Sequence, residues 1–363
     1  MEETLNNILT PEAEAFLENY LNTPSPTGFE WNGQKAWLDY LRPYIDEYRV
    51  DNYGTTYGII NPSAPYKVVI EAHADEISWF VHYISEDGFI YLIRNGSSDA
   101  AIAPSKRVNI HTRDGRTVKA VFGWPAMHLR KEEITPKVDN LFLDCGCSNR
   151  EEVEKLGIHI GCVATYEDKF MILNDRFYLG RAIDNRIGGF MIAQVARLLK
   201  EQNINLPYGL YIVNSVQEEV GLHGAEMVAQ TIKPNIALVT DVGHDTNTPM
   251  INKIKNGDFK VGSGPVLAYA PSVHNKLLDL IVDTANQQEI RFQREANSRT
   301  TGTDTDAFAY SSGGVVSALI SLPMRYMHTT VEMVHKSDVE NVIKLIYHTL
   351  LNIEANHDFR YFK

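Results

Sequence analysis

Asn214-Ser-Val-Gln-Glu218-Glu219-Val-Gly221 is the stretch whose reading decides the fold. It follows the apolar run Tyr208-Gly-Leu-Tyr-Ile-Val213, which predicts a buried strand. Gly221 and Gly224 supply a turn, and Ala225-Glu-Met-Val-Ala-Gln230 then reads as helix. Two adjacent carboxylates therefore sit at the carboxyl end of a strand, the edge of an open α/β sheet where ligands bind. Alone, such a pair reads as a solvated loop. Burying two like charges side by side is costly unless cations neutralise them, so the residues sharing that edge decide between the two.

The same βα texture brackets the stretch on both sides. Upstream, residues 11–23 carry Phe16, Tyr20 and Leu21 at helical spacing behind Thr10 as N-cap, and a second helix is predicted over 32–41. Strands follow at 48–51, 56–60 and 66–71, the last running into Ala72-His73-Ala-Asp75-Glu76. Between about 77 and 169 the texture changes to strand-like pieces with turn signals, such as Ser85-Glu-Asp-Gly88 and Arg113-Asp-Gly115. Helical periodicity there is confined to 149–156. This predicts an inserted β-rich domain, because βα alternation resumes after it. The α/β domain around it is then discontinuous, 1–76 and 170–363.

Downstream, Arg181-Ala-Ile-Asp184-Asn-Arg-Ile-Gly-Gly189 opens a helical pattern over 190–200. Asn235-Ile-Ala-Leu-Val-Thr-Asp241 is a short apolar strand ending in a carboxylate. A helix over 273–288 and Gly302-Thr-Asp304-Thr-Asp306 precede the strand Val315-Val-Ser-Ala-Leu-Ile-Ser-Leu322, which leads into Pro323-Met-Arg325-Tyr-Met-His328. A helix over 337–354 closes the chain.

Composition narrows the function classes. The 363 residues are 44% hydrophobic and 22% charged, ordinary for a soluble globular protein. With 46 acidic against 34 basic residues the net charge is −12, and no basic cluster is present, so nucleic acid and anionic membranes are poor partners. The start Met1-Glu-Glu-Thr-Leu lacks the features of a signal peptide, and no apolar run approaches the roughly 18 residues that span a bilayer. Cys145, Cys147 and Cys162 read as thiols in a reducing cytoplasm, and the expected location is cytoplasmic. His82, His111, His128 and His159 each stand alone and read as hydrogen-bonded structure.

His73, Glu218-Glu219, Asp241 and His328 each lie just past the carboxyl end of an apolar strand, while Asp184 opens a helix, where an Asp is ordinarily a cap. In a mostly parallel sheet those points converge on one rim. Two histidines with three carboxylates suit a two-metal site with a central bridging carboxylate. One of Glu218 and Glu219 would then bind metal and the other move the proton of the attacking water. Asp75 can orient the His73 ring.

These residues fall in motifs that resemble the cytoplasmic dinuclear metallo-aminopeptidases, the family of glutamyl aminopeptidase, the TET peptidases and proteins once labelled cellulase M. The resemblance covers nearly the whole chain. It runs through Ser25-Pro-Thr-Gly-Phe-Glu30, His73-Ala-Asp-Glu-Ile77, Gly180-Arg-Ala-Ile-Asp-Asn-Arg186, Gln217-Glu-Glu-Val-Gly221, Thr240-Asp-Val-Gly243 and Arg325-Tyr-Met-His328. It implies that Asp184 bridges two divalent metal ions, zinc or cobalt or else manganese. His73 and Asp241 would complete one site, and Glu219 and His328 the other. Glu218 would be the general base and Asp75 the residue assisting His73.

It also implies a helix-flanked, mixed, mostly parallel α/β sheet interrupted by a β-rich domain that makes dimer contacts within a dodecamer. The implied activity is aminopeptidase hydrolysis of short peptides by a metal-bound hydroxide. The rival readings are a deacylase of N-acyl amino acids on the same site, a glycosidase, and a non-catalytic protein that retains the fold. Metal-occupied carboxylates do not suit the glycosidase, and no ligand is missing as the last would require. The chain departs from the family at Thr303-Asp-Thr-Asp306, Thr329-Thr330 and Gly54-Thr55, none of them a ligand position.

Overall fold

The structure, a computed structural model, describes residues 7–362. Its centre is a large sheet in the order β1(Glu47–Val50), β2(Thr56–Ile60), β12(Gly209–Ser215), β3(Lys67–His73), β13(Ile236–His244), β16(Val316–Arg325), β17(Glu332–His335), β11(Phe177–Gly180), β10(Met171–Leu173). Two further strands, β14(Val266–Tyr269) and β15(Gln293–Ala296), join it through β16. The expected mixed α/β sheet is present, with parallel pairing on its main path confined to the central run β12-β3-β13-β16 and antiparallel pairs on both sides of it.

Those central strands are apolar on both faces because both faces are covered. Val68, Val69 and Ile70 of β3 and Leu210, Ile212 and Val213 of β12 are fully buried, each side chain contributing about 1.5–3 kcal/mol by leaving water. One layer is α4(Ile183–Glu201), which lies along β3 and packs on α1(Pro11–Asn22), α2(Trp31–Leu41) and α9(Lys336–Asn352). The other is α5(His223–Ile232) with α8(Asp304–Tyr310). The thirteen-residue α7(Asn275–Gln287) packs on α9. Thr10 caps α1 as its side-chain oxygen accepts the Ala13 N–H. The α4 pattern is denser than a one-sided stripe: every residue from Ile183 to Leu199 is buried.

The stretch between β3 and β10 forms a separate closed barrel in the order β4(Ser78–Ile84), β5(Ile90–Asn95), β8(Phe142–Asp144), β7(Thr117–Phe122), β6(Arg107–His111), β9(Val163–Tyr166). It has its own core around Trp79, Phe122 and Leu143, and the short helix α3(Arg150–Lys155). Closure removes the sheet edges that a small open sheet would expose. No helix among the described residues is long and apolar enough to cross a membrane.

Two strands run further than the sequence pattern indicates. The β13 strand continues past Asp241 to His244 because it is paired in parallel with β16 as far as His244 opposite Met324. Asp241 therefore projects from within the ladder, opposite Ser321, and His328 stands three residues beyond the end of β16.

Candidate metal centre

The rim at the carboxyl ends of β3, β12, β13 and β16 collects every residue singled out above. His73 is the last residue of β3 and lies opposite Ser215 of β12. Glu218 and Glu219 follow β12 in a single 3-10 turn, Glu218–Val220. Asp184 arrives from the other direction, at the start of α4. Its position depends on Gly188 and Gly189, where the helix passes so close to the sheet that an added Cβ at Gly188 would sit 2.7 Å from the Ala72 Cβ, and one at Gly189 2.8 Å from Asn214 Oδ1. A side chain at either would lift α4 off the sheet and take Asp184 away from His73. Asp184 is no cap: Ala182 holds that position, and the Asp184 backbone has non-helical φ and ψ.

The geometry forms two triads sharing one carboxylate. His73, Asp184 and Asp241 make one and Asp184, Glu219 and His328 the other, each with donor atoms within 4.8 Å of one another. His73 Nε2 lies 3.2 Å from Asp184 Oδ1 and 3.8 Å from Asp241 Oδ1. His328 Nε2 lies 3.3 Å from Asp184 Oδ2 and 3.5 Å from Glu219 Oε1. Glu218 Oε2 stands 3.8 Å from His73 Nε2 and belongs to neither triad, although it meets the same distance test in a third grouping with His73 and Glu219.

The protonation equilibria record how much charge is crowded here. Burial, with repulsion from Asp241, Asp304 and Glu219, pushes Glu218 up to about 10 against the attraction of His73. Burial raises Asp241 well above the carboxylate range and raises Glu219 as well. Burial alone would lower both histidines, but the carboxylates around them win. Glu218, Asp184 and Asp75 hold His73 well above its usual value, and Asp184 with Glu219 lifts His328 to about 11. Asp184 goes the other way: burial would raise it, yet the two imidazoles pull it well below the normal range. A cluster that must hold protons to exist is one that divalent cations stabilise, since each cation displaces protons from imidazole and carboxyl donors. Imidazole nitrogen and carboxylate oxygen suit zinc, cobalt and manganese. The donor set fits.

Backbone clamps hold the ligand-type residues in place. Asp75 lies 3.3 Å from His73 Nδ1 and accepts the N–H groups of Glu218 at 3.0 Å and Glu219 at 3.2 Å. One buried carboxylate thus fixes the histidine and the glutamate pair together. Glu332 on β17 does the same for the second triad, accepting the Asp184 N–H at 3.1 Å and the His328 N–H at 2.8 Å. These clamps act where the backbone is strained. Ala182, Gln217 and His328 have φ of 58°, 59° and 60°, a region costing about 1–3 kcal/mol for such residues unless the surroundings enforce it.

Glu332 was not among the residues expected at the site. The available signal was a lone acid among apolar residues in Val331-Glu-Met-Val334. Glu71 carried a plainer one, a carboxyl inside the apolar β3. It is buried behind His73 and meets Asp304 at the Ser215 hydroxyl, 2.5 Å and 2.7 Å away. Burial and the neighbouring Asp304 raise Glu71 well above the carboxylate range, and burial raises Asp304 as well. Other motif residues are structural. Glu76 pairs with Arg181, accepts the Ser25 N–H at 2.8 Å and lies 3.7 Å from the buried Arg186, which covers the Tyr20 ring.

Two histidine–carboxylate triads on the rim of such a sheet define a metallohydrolase. The chain belongs to the M42 glutamyl aminopeptidase family, which matches residues 54–345. It is accordingly an aminopeptidase of the metal-dependent kind, and the family implies divalent metal ions. The lysyl aminopeptidase of Pyrococcus furiosus is 31% identical over 91% of this chain and 94% of that one. The TET aminopeptidase of a marine-sediment Thaumarchaeota archaeon superposes with a TM-score of 0.89 at 27% identity, covering 94% of this chain and 97% of that one. PhTET1-12s, solved as a dodecamer, gives 0.82 at 25% identity over 93% and 98%.

Proposed function

We propose that this chain removes the N-terminal residue of short peptides at a centre of two divalent cations bridged by Asp184. His73 and Asp241 would hold one cation, Glu219 and His328 the other. The observation that carries this reading is the sharing of Asp184 between the two triads. Bound cations supply Lewis-acid polarisation of the scissile carbonyl and an activated water. Zinc or cobalt is the preferred pair, and manganese satisfies the same donors.

The side chains then have separate work. Glu218, left outside both triads, takes the proton of the attacking water and delivers it to the departing amine nitrogen. Asp75 holds His73 by one ring edge while fixing the Glu218 backbone, so base and ligand keep one spacing. Glu332 keeps Asp184 and His328 in register. The cleft around them, about 570 Å³ in volume, leaves room for the end of a peptide. The assay is hydrolysis of aminoacyl-anilides beside N-acyl amino acids, before and after chelation. Anilide turnover that chelation abolishes and divalent metal restores is expected. Cleavage of acyl-amino acids alone would assign the site to a deacylase.

The domain division belongs to this proposal: catalytic residues 1–76 and 170–363, with 77–169 as an inserted domain for self-association. The barrel exposes Met127, Leu129 and Ile134 on one connection, apolar surface that a second copy can cover. A dimer-based dodecamer is the expected assembly, and the TET neighbour was solved as a dodecamer. Light scattering should give a mass near twelve chains, and a monomer mass would contradict it. Placement in the cytoplasm rests on free Cys145 and Cys147, whose Sγ atoms stand 3.6 Å apart without a bond. A disulfide between them in protein taken from cells would speak against it.

A further inference from the structure

The cleft that holds the two triads extends beyond them, and its remaining lining has a definite chemical character. Leu222, Val242, Leu319 and Met327 give it apolar wall. Glu295 and Asp306 give it two carboxylates that take no part in the triads. No lysine or arginine among the described residues lines it.

The two carboxylates are not equivalent. Asp306 is occupied: its oxygens accept the N–H groups of Thr301 at 3.1 Å and Gly302 at 2.9 Å, which shapes the loop before α8. The Glu295 carboxylate has no hydrogen-bond or ion-pair partner among the described residues, and the residue is half-buried on β15. Two cations carried by β15 and β16 are committed elsewhere. Arg294, on the alternate face of β15, covers the Phe292 ring at 4.6 Å and reaches the Tyr269 hydroxyl. Arg325 is paired with the buried Asp245 at 2.9 Å.

Charge balance makes this decisive. Asp184, Glu219, Asp241 and Glu218 carry four negative charges when ionised, which two divalent cations neutralise. Glu295 and Asp306 then leave the rest of the cleft acidic. An acidic end on an apolar wall matches a side chain with an aliphatic stem and a cationic tip. We propose that the cleft selects peptides with a lysine or arginine at the N-terminus, and that Glu295 is the residue that meets the cation. This rests on the aminopeptidase reading and adds the substrate class to it. The glutamyl preference in the family's name does not carry over, because a substrate carboxylate would face Glu295 with no cation between them.

The peptide's α-ammonium is a second cation that Glu295 could meet, and the test separates the two. Metal-loaded enzyme is assayed on the p-nitroanilides of lysine, arginine, leucine and glutamate. We expect kcat/KM for lysine and arginine to exceed that for leucine by about tenfold or more, with glutamate lowest. Glu295→Gln should lower the lysine-to-leucine ratio by about tenfold, and Glu295→Lys should raise the glutamate-to-lysine ratio. An equal loss on lysine and leucine would put Glu295 at the α-ammonium and overturn the proposal. So would a wild-type enzyme that turns over leucine as readily as lysine, a result that leaves the aminopeptidase reading standing.

Discussion

Glu218→Gln is expected to retain its metal ions and lose about 10²–10⁴-fold in kcat, the range general-base removal gives, or roughly 3–5 kcal/mol of barrier. Each triad is complete without Glu218, yet its carboxylate stands 3.8 Å from His73 Nε2 in the same cleft. An amide of the same shape cannot take a proton, and both triads that share Asp184 keep all their donors. Glu219→Gln is the informative contrast, since that residue belongs to the triad with Asp184 and His328 and its loss should lower metal content as well. Metal analysis and steady-state kinetics on both variants decide the assignment. Near-normal turnover by Glu218→Gln would remove it from the role of base.

The second large effect concerns metal retention. Asp184→Ala should lose both cations, because each triad loses its shared carboxylate. His328→Ala should lose about one, because the His73–Asp184–Asp241 triad is left whole. Glu332→Ala removes no ligand but frees the backbones of Asp184 and His328, so its metal affinity should fall about 10–100-fold, as for outer-sphere supports elsewhere. Equilibrium dialysis against zinc or cobalt with metal quantification ranks the three. Circular dichroism of each variant separates metal loss from unfolding.

Much of this arrangement was legible because apolar runs stop where chemistry starts. His73 and the Glu218-Glu219 pair sit at the ends of runs that could only be buried strands, and parallel strands bring their carboxyl ends to one rim. The legibility failed where long-range pairing decides. Asp241 looked like a strand end because a carboxylate interrupts the run, yet the parallel partner β16 carries the ladder on to His244. Glu332 offers no local signal beyond an acid among apolar residues. Its function depends on a segment 148 residues away, the start of α4, which no local pattern reveals. The same holds for Glu71 and Asp304, joined through Ser215 across strands and a helix. Asp184 was ambiguous for another reason: an acid at a helix start is ordinarily a cap, and only the close approach allowed by Gly188 and Gly189 turns it toward the histidines.

Everything proposed for the chemistry depends on Asp184 serving two cations at once. The measurement that tests this most directly is the metal content per chain of the wild-type protein and of Asp184→Ala, determined side by side by plasma mass spectrometry after saturation and dialysis. About two ions per chain, falling toward none in the variant, is the predicted result. A wild-type protein that saturates at one ion, or a variant that still holds two, would contradict a centre bridged by Asp184.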